Sequence, residues 1–432
     1  MQANAYKLTT LSCFTGIFVQ AIITNLTAIL FIPLMRIYDL SYIHLGTLVA
    51  VNFSVQVGSD LVFSGLIDRI GFRRLVLPSC LLAFAGLALF ALAPSLFPSN
   101  VFGGIIVATI LFAASCGLLE VLLSPIVNAI PNADKGPAMS LLHSFYAWGQ
   151  VATIVVTTLF LFVFGDRSWV IIALIWSAVP LANFFMFLKS PFPDSVPVEH
   201  RLNFRDLILQ PFCLLAFAAI FFGAASEVVM NQWASAFMEK ALLFPKVTGD
   251  LLGMCGFAVM LGVGRALYGK YGARLQINKV LVWTSLMAVV CYLVVALAPA
   301  NGLSLAACIL CGFAVSLLWP GTLITASERY PLAGAWLFAL LAAAGDIGAA
   351  AGPWMTGWMV DNAIGSSLAA GMAGALQTTP EQAALRLGIL AAVAFPVVAL
   401  LTHLILKAMQ HRHVAMLRAA PAPAIAVNLP EA

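Results

Sequence analysis

The sequence predicts an all-α integral membrane protein with twelve spanning helices in two pseudo-symmetric six-helix bundles. Three observations carry this prediction. The first is composition: of 432 residues, 62% are hydrophobic and 9% charged, against roughly 25% charged in a soluble domain. The second is spacing. A span needs about 20 apolar residues. Apolar runs fall at 8–34, 43–67, 75–97, 101–128, 138–165, 168–188, 211–238, 247–268, 277–299, 303–327, 332–358 and 386–408. The third is an internal echo. The stretch Ser64-Gly65-Leu66-Ile67-Asp68-Arg69-Ile70-Gly71-Phe72-Arg73-Arg74 has a weaker copy in Gly269-Lys270-Tyr271-Gly272-Ala273-Arg274. In each, a basic residue precedes a hydrophobic residue and a glycine, and an arginine follows two positions on. The repeat points to two halves with similar wiring.

The elements follow in order. Lys7 precedes the first apolar run, and no cleavage site follows it, so 8–34 reads as a span and not a removable signal. The turn at 64–74 carries Arg69, Arg73, Arg74 and Asp68. Such charges are costly in hydrocarbon, which places the turn at a membrane surface. Gly71 supplies a tight backbone turn there. With the N-terminus inside, the inner face receives Lys7, Arg69, Arg73, Arg74, Lys135, Lys189, Arg201, Arg205, Arg265, Lys270, Arg274, Lys279, Arg329, Lys407, Arg412 and Arg418. The outer face receives Arg36, Arg167, Lys240, Lys246 and Arg386. That asymmetry predicts both termini in the cytoplasm; a bacterial inner membrane is the expected location. Residues 189–210, with Pro191, Pro193 and Pro197, read as a cytoplasmic linker between bundles at 1–188 and 211–408. The stretch 359–385 reads as an outer loop of small residues. Residues 409–432 form a cytoplasmic tail, rich in alanine and proline from about Ala419 and expected to be disordered.

Several classes are excluded. The net charge of +4 comes with the inner-loop basic residues and does not suggest nucleic acid. The eight cysteines lie almost all inside apolar runs. Cys308 and Cys311 have CxxC spacing, but no histidine or second pair accompanies them, so small buried hydrophobes are expected. No phosphate-binding glycine loop with lysine, no HExxH and no nucleophile elbow occurs. No metal, no cofactor and no enzymatic activity are expected.

The informative residues are the polar ones at bilayer depth. An ionisable side chain there costs about 2.5–3.5 kcal/mol on insertion scales and usually faces a cavity or a partner. Asp60, Glu120, Glu227 and Asp346 are the candidates. Glu120 sits in Leu118-Leu119-Glu120-Val121-Leu122-Leu123-Ser124-Pro125. A carboxylate in apolar surroundings can cycle between protonated and charged forms, as a proton-coupled carrier requires; a structural hydrogen bond between helices is the other reading. Glu227 and Asn231 lie four apart on one helix face, with Gln232 and Trp233 next. A carboxylate, an amide and an indole can grip a polyhydroxy ligand, or serve as helix–helix glue. Asn52, Gln56 and Asp60 form a polar stripe at four-residue spacing, suited to lining a cavity, although Asp60 also suits an inner gate. Asp346 lies among Gly345, Gly348 and alanines, where helices approach closely; it can bind substrate or cation, or pair with a polar group. Gln20, Asn25, Gln150 and Trp319 are secondary lining candidates. His143, near the inner mouth, reads as a proton relay, a gate contact or a hydrated side chain. Phe145, Tyr146 and Trp148 point in different directions, so one or two of them can face a cavity.

The 64–74 turn and its echo resemble the loops between helices two and three, and eight and nine, of major facilitator superfamily transporters. Ser64 stands where that family usually has glycine, and the second copy lacks the aspartate. Glu120 with Ser124-Pro125, and Leu141-Leu142-His143-Ser144-Phe145-Tyr146-Ala147-Trp148-Gly149-Gln150, are similar to helices four and five of the fucose/glucose/galactose permease branch. There the glutamate belongs to the proton-coupling machinery, and Ser124-Pro125 replaces the branch's usual Asn-Pro. Gly345-Asp346-Ile347-Gly348 is the matching region of helix eleven. The helix-one aspartate of that branch is missing: Ala28 stands in its place within Thr24-Asn25-Leu26-Thr27-Ala28. Either Glu120 couples protons alone, or Glu227 or Asp346 shares the task, or the mechanism differs.

The resemblance implies the major facilitator fold and secondary active transport by alternating access. The expected cargo is a small polar solute, most readily a sugar, with a proton or sodium as coupling ion, lipid around the chain and a monomeric state. The coupling residues would be Glu120, Asp346 and Glu227. Asn25, Asn52, Gln56, Gln150, Glu227, Asn231, Trp233 and Trp319 would bind substrate. Asp68, Arg69, Gly71, Arg73 and His143 would form the gate, the loop acting as a latch through charge pairing and contact with helix ends. A drug or metabolite exporter of the same fold and a non-transporting receptor or scaffold stay open as alternatives.

Overall fold

A computed structural model describes residues 6–64, 70–130, 135–193, 209–330 and 334–419. Its long helices are α1 (Lys7–Ile29), α2 (Tyr42–Ser64), α3 (Phe72–Leu96), α4 (Val101–Ala129), α5 (Lys135–Phe164) and α6 (Trp169–Lys189). The second set is α7 (Pro211–Lys240), α8 (Lys246–Tyr271), α9 (Ile277–Leu297), α10 (Asn301–Ala326), α11 (Gly334–Ala363) and α12 (Pro380–Arg412). Among the described residues, eleven of these helices are long and apolar enough to cross a membrane by length and composition. α11 has 30 residues, ample for a span.

The halves repeat each other's packing. In the first, α1 packs on α4, α5 and α6, α2 on α4, and α3 on α4 and α6. Adding six to every number gives the contacts of the second half: α7 on α10, α11 and α12, α8 on α10, and α9 on α10 and α12. Between the halves α2 packs on α11 and α5 on α8, a pair of contacts that the same shift exchanges. The seams between bundles are tight where glycine permits. A Cβ on Gly46 of α2 would sit 2.8 Å from the Pro353 carbonyl of α11. Large apolar side chains such as Phe162, Val163, Phe164 and Trp283 stay exposed around the outside, as a lipid-facing surface requires.

Three spans depart from the expected single rods. α1 stops at Ile29, and Phe31–Tyr38 forms a separate short helix inside the expected 8–34 run. α10 breaks between Val315 and Leu318. α12 breaks at Val393, and its second part, Ala394–Ala419, runs beyond 408. Each break lies just before a proline (Pro33, Pro320, Pro396), which cannot donate to the carbonyl four residues earlier. α8 opens with a π-helical turn, Gly249–Met254. The expected 359–385 loop is also corrected: it contains a helix, Ser367–Leu376. The Ser366 side chain caps that helix by accepting from the Ala369 amide, and Gln377 ends it in a left-handed conformation.

Candidate functional site

A cavity of about 570 Å³ lies between the two bundles. Polar side chains enter it from both halves: Gln20, Thr24, Gln56, Glu120, Tyr146 and Gln150 from the first, and Glu227, Asn231, Gln232, Arg265 and Asp346 from the second. Ile17, Phe53, Leu261 and Trp319 supply apolar wall.

One end of the cavity is shut. Among the described residues, the hydrogen bonds between halves lie at mid-depth or toward Arg36. At mid-depth Gln150 donates to Asn231 at 3.0 Å, Asn231 donates to Asn25 at 3.3 Å, and Gln232 donates to the Thr24 carbonyl at 3.1 Å. Above them Thr158 donates to Asp250 at 2.8 Å, and Lys246 donates to the Ile29 carbonyl at 2.8 Å. Arg36 bridges Glu239 and, at 3.2 Å, Asp166. Asp361 accepts the backbone amides of Tyr42 and Ile43 at 3.1 and 2.7 Å, capping the N-terminus of α2 from the other half. Toward Gly71 the cavity reaches Tyr268 and Gly269 at the end of α8. Among the described residues, the protein is therefore closed on the Arg36 side, and the cavity extends toward the Gly71 side.

The most concentrated chemistry is a group of three carboxylates. Oxygens of Asp60 on α2, Glu120 on α4 and Asp346 on α11 lie within 4.8 Å of one another. Gly117 makes the approach of α4 to α2 possible, since a Cβ there would lie 2.8 Å from Asp60 Oδ1. Glu120 is open to the cavity, while Asp346 is buried. Asp60 Oδ1 and Asp346 Oδ2 are buried without a hydrogen-bond partner. At 4.8 Å two like charges repel by roughly 3 kcal/mol at an effective dielectric of about 20. Three cannot be charged together without a compensating proton or cation.

A second charged group lies across the cavity. Arg265 Nη2 reaches both oxygens of Glu227, at 3.0 and 3.2 Å, and its Nε donates to the Ser316 carbonyl at 3.1 Å. Pro320, four residues after Ser316, leaves that carbonyl available. Arg265 is thus not a loop charge on the inner face. It points into the cavity as the counter-charge of Glu227.

The structure sorts the other expected residues. Gln56, Gln150, Asn231 and Trp319 line the cavity. Asn25 is buried behind it and acts through Asn231. Asn52 is buried outside the lining, with Oδ1 unpartnered. Trp233 is corrected: its indole donates to the Pro353 carbonyl at 3.2 Å and packs on Phe31 and Tyr42, sealing the closed end. Of the helix-five aromatics, Tyr146 faces the cavity, Phe145 stacks on Phe14 and Trp148 is exposed at the surface. Asp68, Arg69 and the His143 side chain lie outside the described residues. Gly71 has φ +85°, the left-handed turn that only glycine adopts without strain. Among the described residues, Arg73 donates to the Leu188 carbonyl at 2.7 Å and lies over Phe192, so these contacts stay with the end of the first half and the start of the linker. All eight cysteines are free, and Cys308 and Cys311 are buried.

Two bundles around a central cavity that polar side chains enter from both halves, shut at one end, fit a membrane transport protein. The chain belongs to the Major Facilitator Superfamily, whose family model matches residues 13–353. Solved structures share the fold. A bacterial homolog of the human lysosomal transporter Spinster, inward-facing and occupied, aligns with TM-score 0.75 at 15% identity, covering 96% of this chain and 98% of that one. The Escherichia coli fucose:proton symporter aligns with TM-score 0.60 at 16% identity, covering 93% and 99%. A D-xylose-proton symporter aligns with TM-score 0.68 at 14% identity, covering 90% and 96%. No curated protein matches the chain by sequence.

Proposed function

We infer that this transporter moves a small polar solute, a sugar, by alternating access and draws on a proton gradient through Glu120. The carrying observation is the inter-bundle cavity, closed toward Arg36 and extending toward Gly71, with carboxylates on its wall. Amides and hydroxyls (Gln56, Gln150, Asn231, Tyr146) suit a polyhydroxy ligand, and Trp319 offers a flat face for its C–H groups. The solved fucose and xylose symporters of this fold support the same class. Glu120 takes the proton because it is open to cavity water beside two other acids, and Asp346 shares it from the opposite half. Glu227, held by Arg265, serves the lining instead. The 64–74 turn acts as the latch in the opposite state, with the Gly71 side and both termini in the cytoplasm of a bacterial inner membrane.

Uptake of labelled monosaccharides into proteoliposomes, with and without a pH gradient, tests the reading. The gradient should stimulate wild-type flux and leave Glu120→Gln flux unchanged. A Glu120→Gln variant that still follows the gradient as wild type does would overturn the proton role. The apolar wall residues Ile17, Phe53 and Leu261 favour one second reading, an exporter of an amphipathic metabolite. Gradient-driven efflux of such a compound with no monosaccharide flux would select it.

A further inference from the structure

We propose that Asp60, Glu120 and Asp346 form a binding site for a hard divalent cation that ties the two halves together. The proposal rests on geometry and holds whatever solute the cavity carries. Ligand oxygens on opposite sides of a calcium-sized ion are about 4.6–5.2 Å apart, twice the usual bond length. The three carboxylates offer oxygens within 4.8 Å of one another, so one ion can touch all three.

A second observation points to a ligand there. Asp346 is 4% exposed, and its Oδ2 has no hydrogen-bond partner. It comes from α11, while Asp60 and Glu120 come from the first half. A buried carboxylate oxygen without a donor is rare in folded proteins and needs an explanation. Asp60 Oδ1 is buried and unpartnered as well. The cavity's basic side chain, Arg265, is engaged by Glu227 and the Ser316 carbonyl. Gln56, 3% exposed, lines the cavity one turn before Asp60, and its Nε2 is unpartnered.

The donor set selects the ion. Among the described residues, every ligand is a carboxylate oxygen, with no thiol or imidazole in the group, which suits calcium, magnesium or manganese over softer metals. Three negative charges leave a doubly charged ion better matched than sodium. The ion would bridge α2 and α4 to α11 and so tie the two halves together across the cavity. Protons compete for the same oxygens, and affinity falls with falling pH.

The test is titration of the purified full-length chain with Mn2+, followed by electron paramagnetic resonance, and with Ca2+ by calorimetry. One saturable site per chain is expected. Asp346→Asn and Asp60→Asn should each weaken it at least ~10-fold, and Asp166→Asn, on the closed side, should leave it unchanged. Glu120→Asp, which keeps the carboxylate, should fall between. Monodisperse elution and an unchanged melting temperature of each metal-free variant separate lost binding from lost folding. Absence of saturable Mn2+ or Ca2+ binding below ~1 mM, equal affinity in wild type and Asp346→Asn, or saturation by Na+ alone would each overturn the proposal.

Discussion

Glu227 and Arg265 show what a charge inside a bundle requires of its neighbours. The pair is partly screened, with side chains 17% and 40% exposed, so its worth lies between the surface and buried regimes, at about 1–2 kcal/mol. Removing one partner is not symmetric with removing the other. Arg265→Ala leaves a carboxylate facing the cavity with no counter-charge and leaves the Ser316 carbonyl without its donor. Glu227→Gln leaves an arginine that still has that carbonyl. Arg265→Ala should therefore lower the melting temperature in detergent more than Glu227→Gln does. The double variant should recover part of the loss, giving a coupling energy of about 1 kcal/mol in a double-mutant cycle. Independent, additive losses would mean that the two side chains do not act as a pair. The pair also marks a limit of sequence reading. Glu227 and Asn231 were legible because a helix turn brings them to one face. Arg265 was grouped with the inner-loop charges, although it falls inside the 247–268 apolar run, and that position was the signal that it faces a cavity.

At the scale of elements, two prolines do similar work in the two halves. Pro33 withholds the amide that would bond to the Ile29 carbonyl, and Lys246 donates to that carbonyl from the other half. Pro320 does the same for Ser316, whose carbonyl accepts from Arg265. In each case a helix break turns a backbone acceptor into a site for a basic side chain. Pro33→Ala should let α1 continue into the Phe31–Tyr38 helix and recapture the Ile29 carbonyl. Lys246 keeps Asp250, at 2.9 Å, so the net loss is one charge-assisted bond, about 1.5–3 kcal/mol. That loss falls on the contact between halves. The Arg36 side should open more readily, read as faster labelling of Ala28→Cys by a water-soluble maleimide. An unchanged labelling rate would mean that the Lys246 bond does not help to hold that side shut. The prolines are visible in the sequence, but the basic partners of the freed carbonyls, 217 and 51 residues from them, are not. Asp60, Glu120 and Asp346 share this limit. Each could be recognised as an acid at bilayer depth, but their meeting point depends on where α2, α4 and α11 cross, which no local spacing encodes. Trp233 differs for a related reason: an indole in the outer half of a span fits a ligand platform and an apolar seal equally well until its neighbours are known.

For the whole molecule, the question is what sets the balance between the two closures. The contacts shutting the Arg36 side join halves that must part there for the other state to form, so their energy is lost on opening. Asp361 concentrates much of it, since one carboxylate caps α2 through two backbone amides across the seam. Interaction with a helix N-terminus is worth about 0.3–1 kcal/mol at exposed sites and up to ~2 when partly buried. Asp361→Asn keeps one acceptor and removes the charge, a loss of about 1 kcal/mol. Since 1.4 kcal/mol is about tenfold, the equilibrium should move about fivefold toward opening on the Arg36 side. With the native cysteines replaced, Ala28→Cys reports that side, because Ala28 is buried in a cluster that includes second-half residues. Leu323→Cys, on the cavity wall, reports the other. Asp361→Asn should raise the labelling rate at the first about fivefold and slightly lower it at the second. Reciprocal change is the decisive feature: a faster rate at both positions would indicate general loosening of the bundles, and no change at either would show that the seal of Trp233, Phe31 and Tyr42 holds the closure without Asp361.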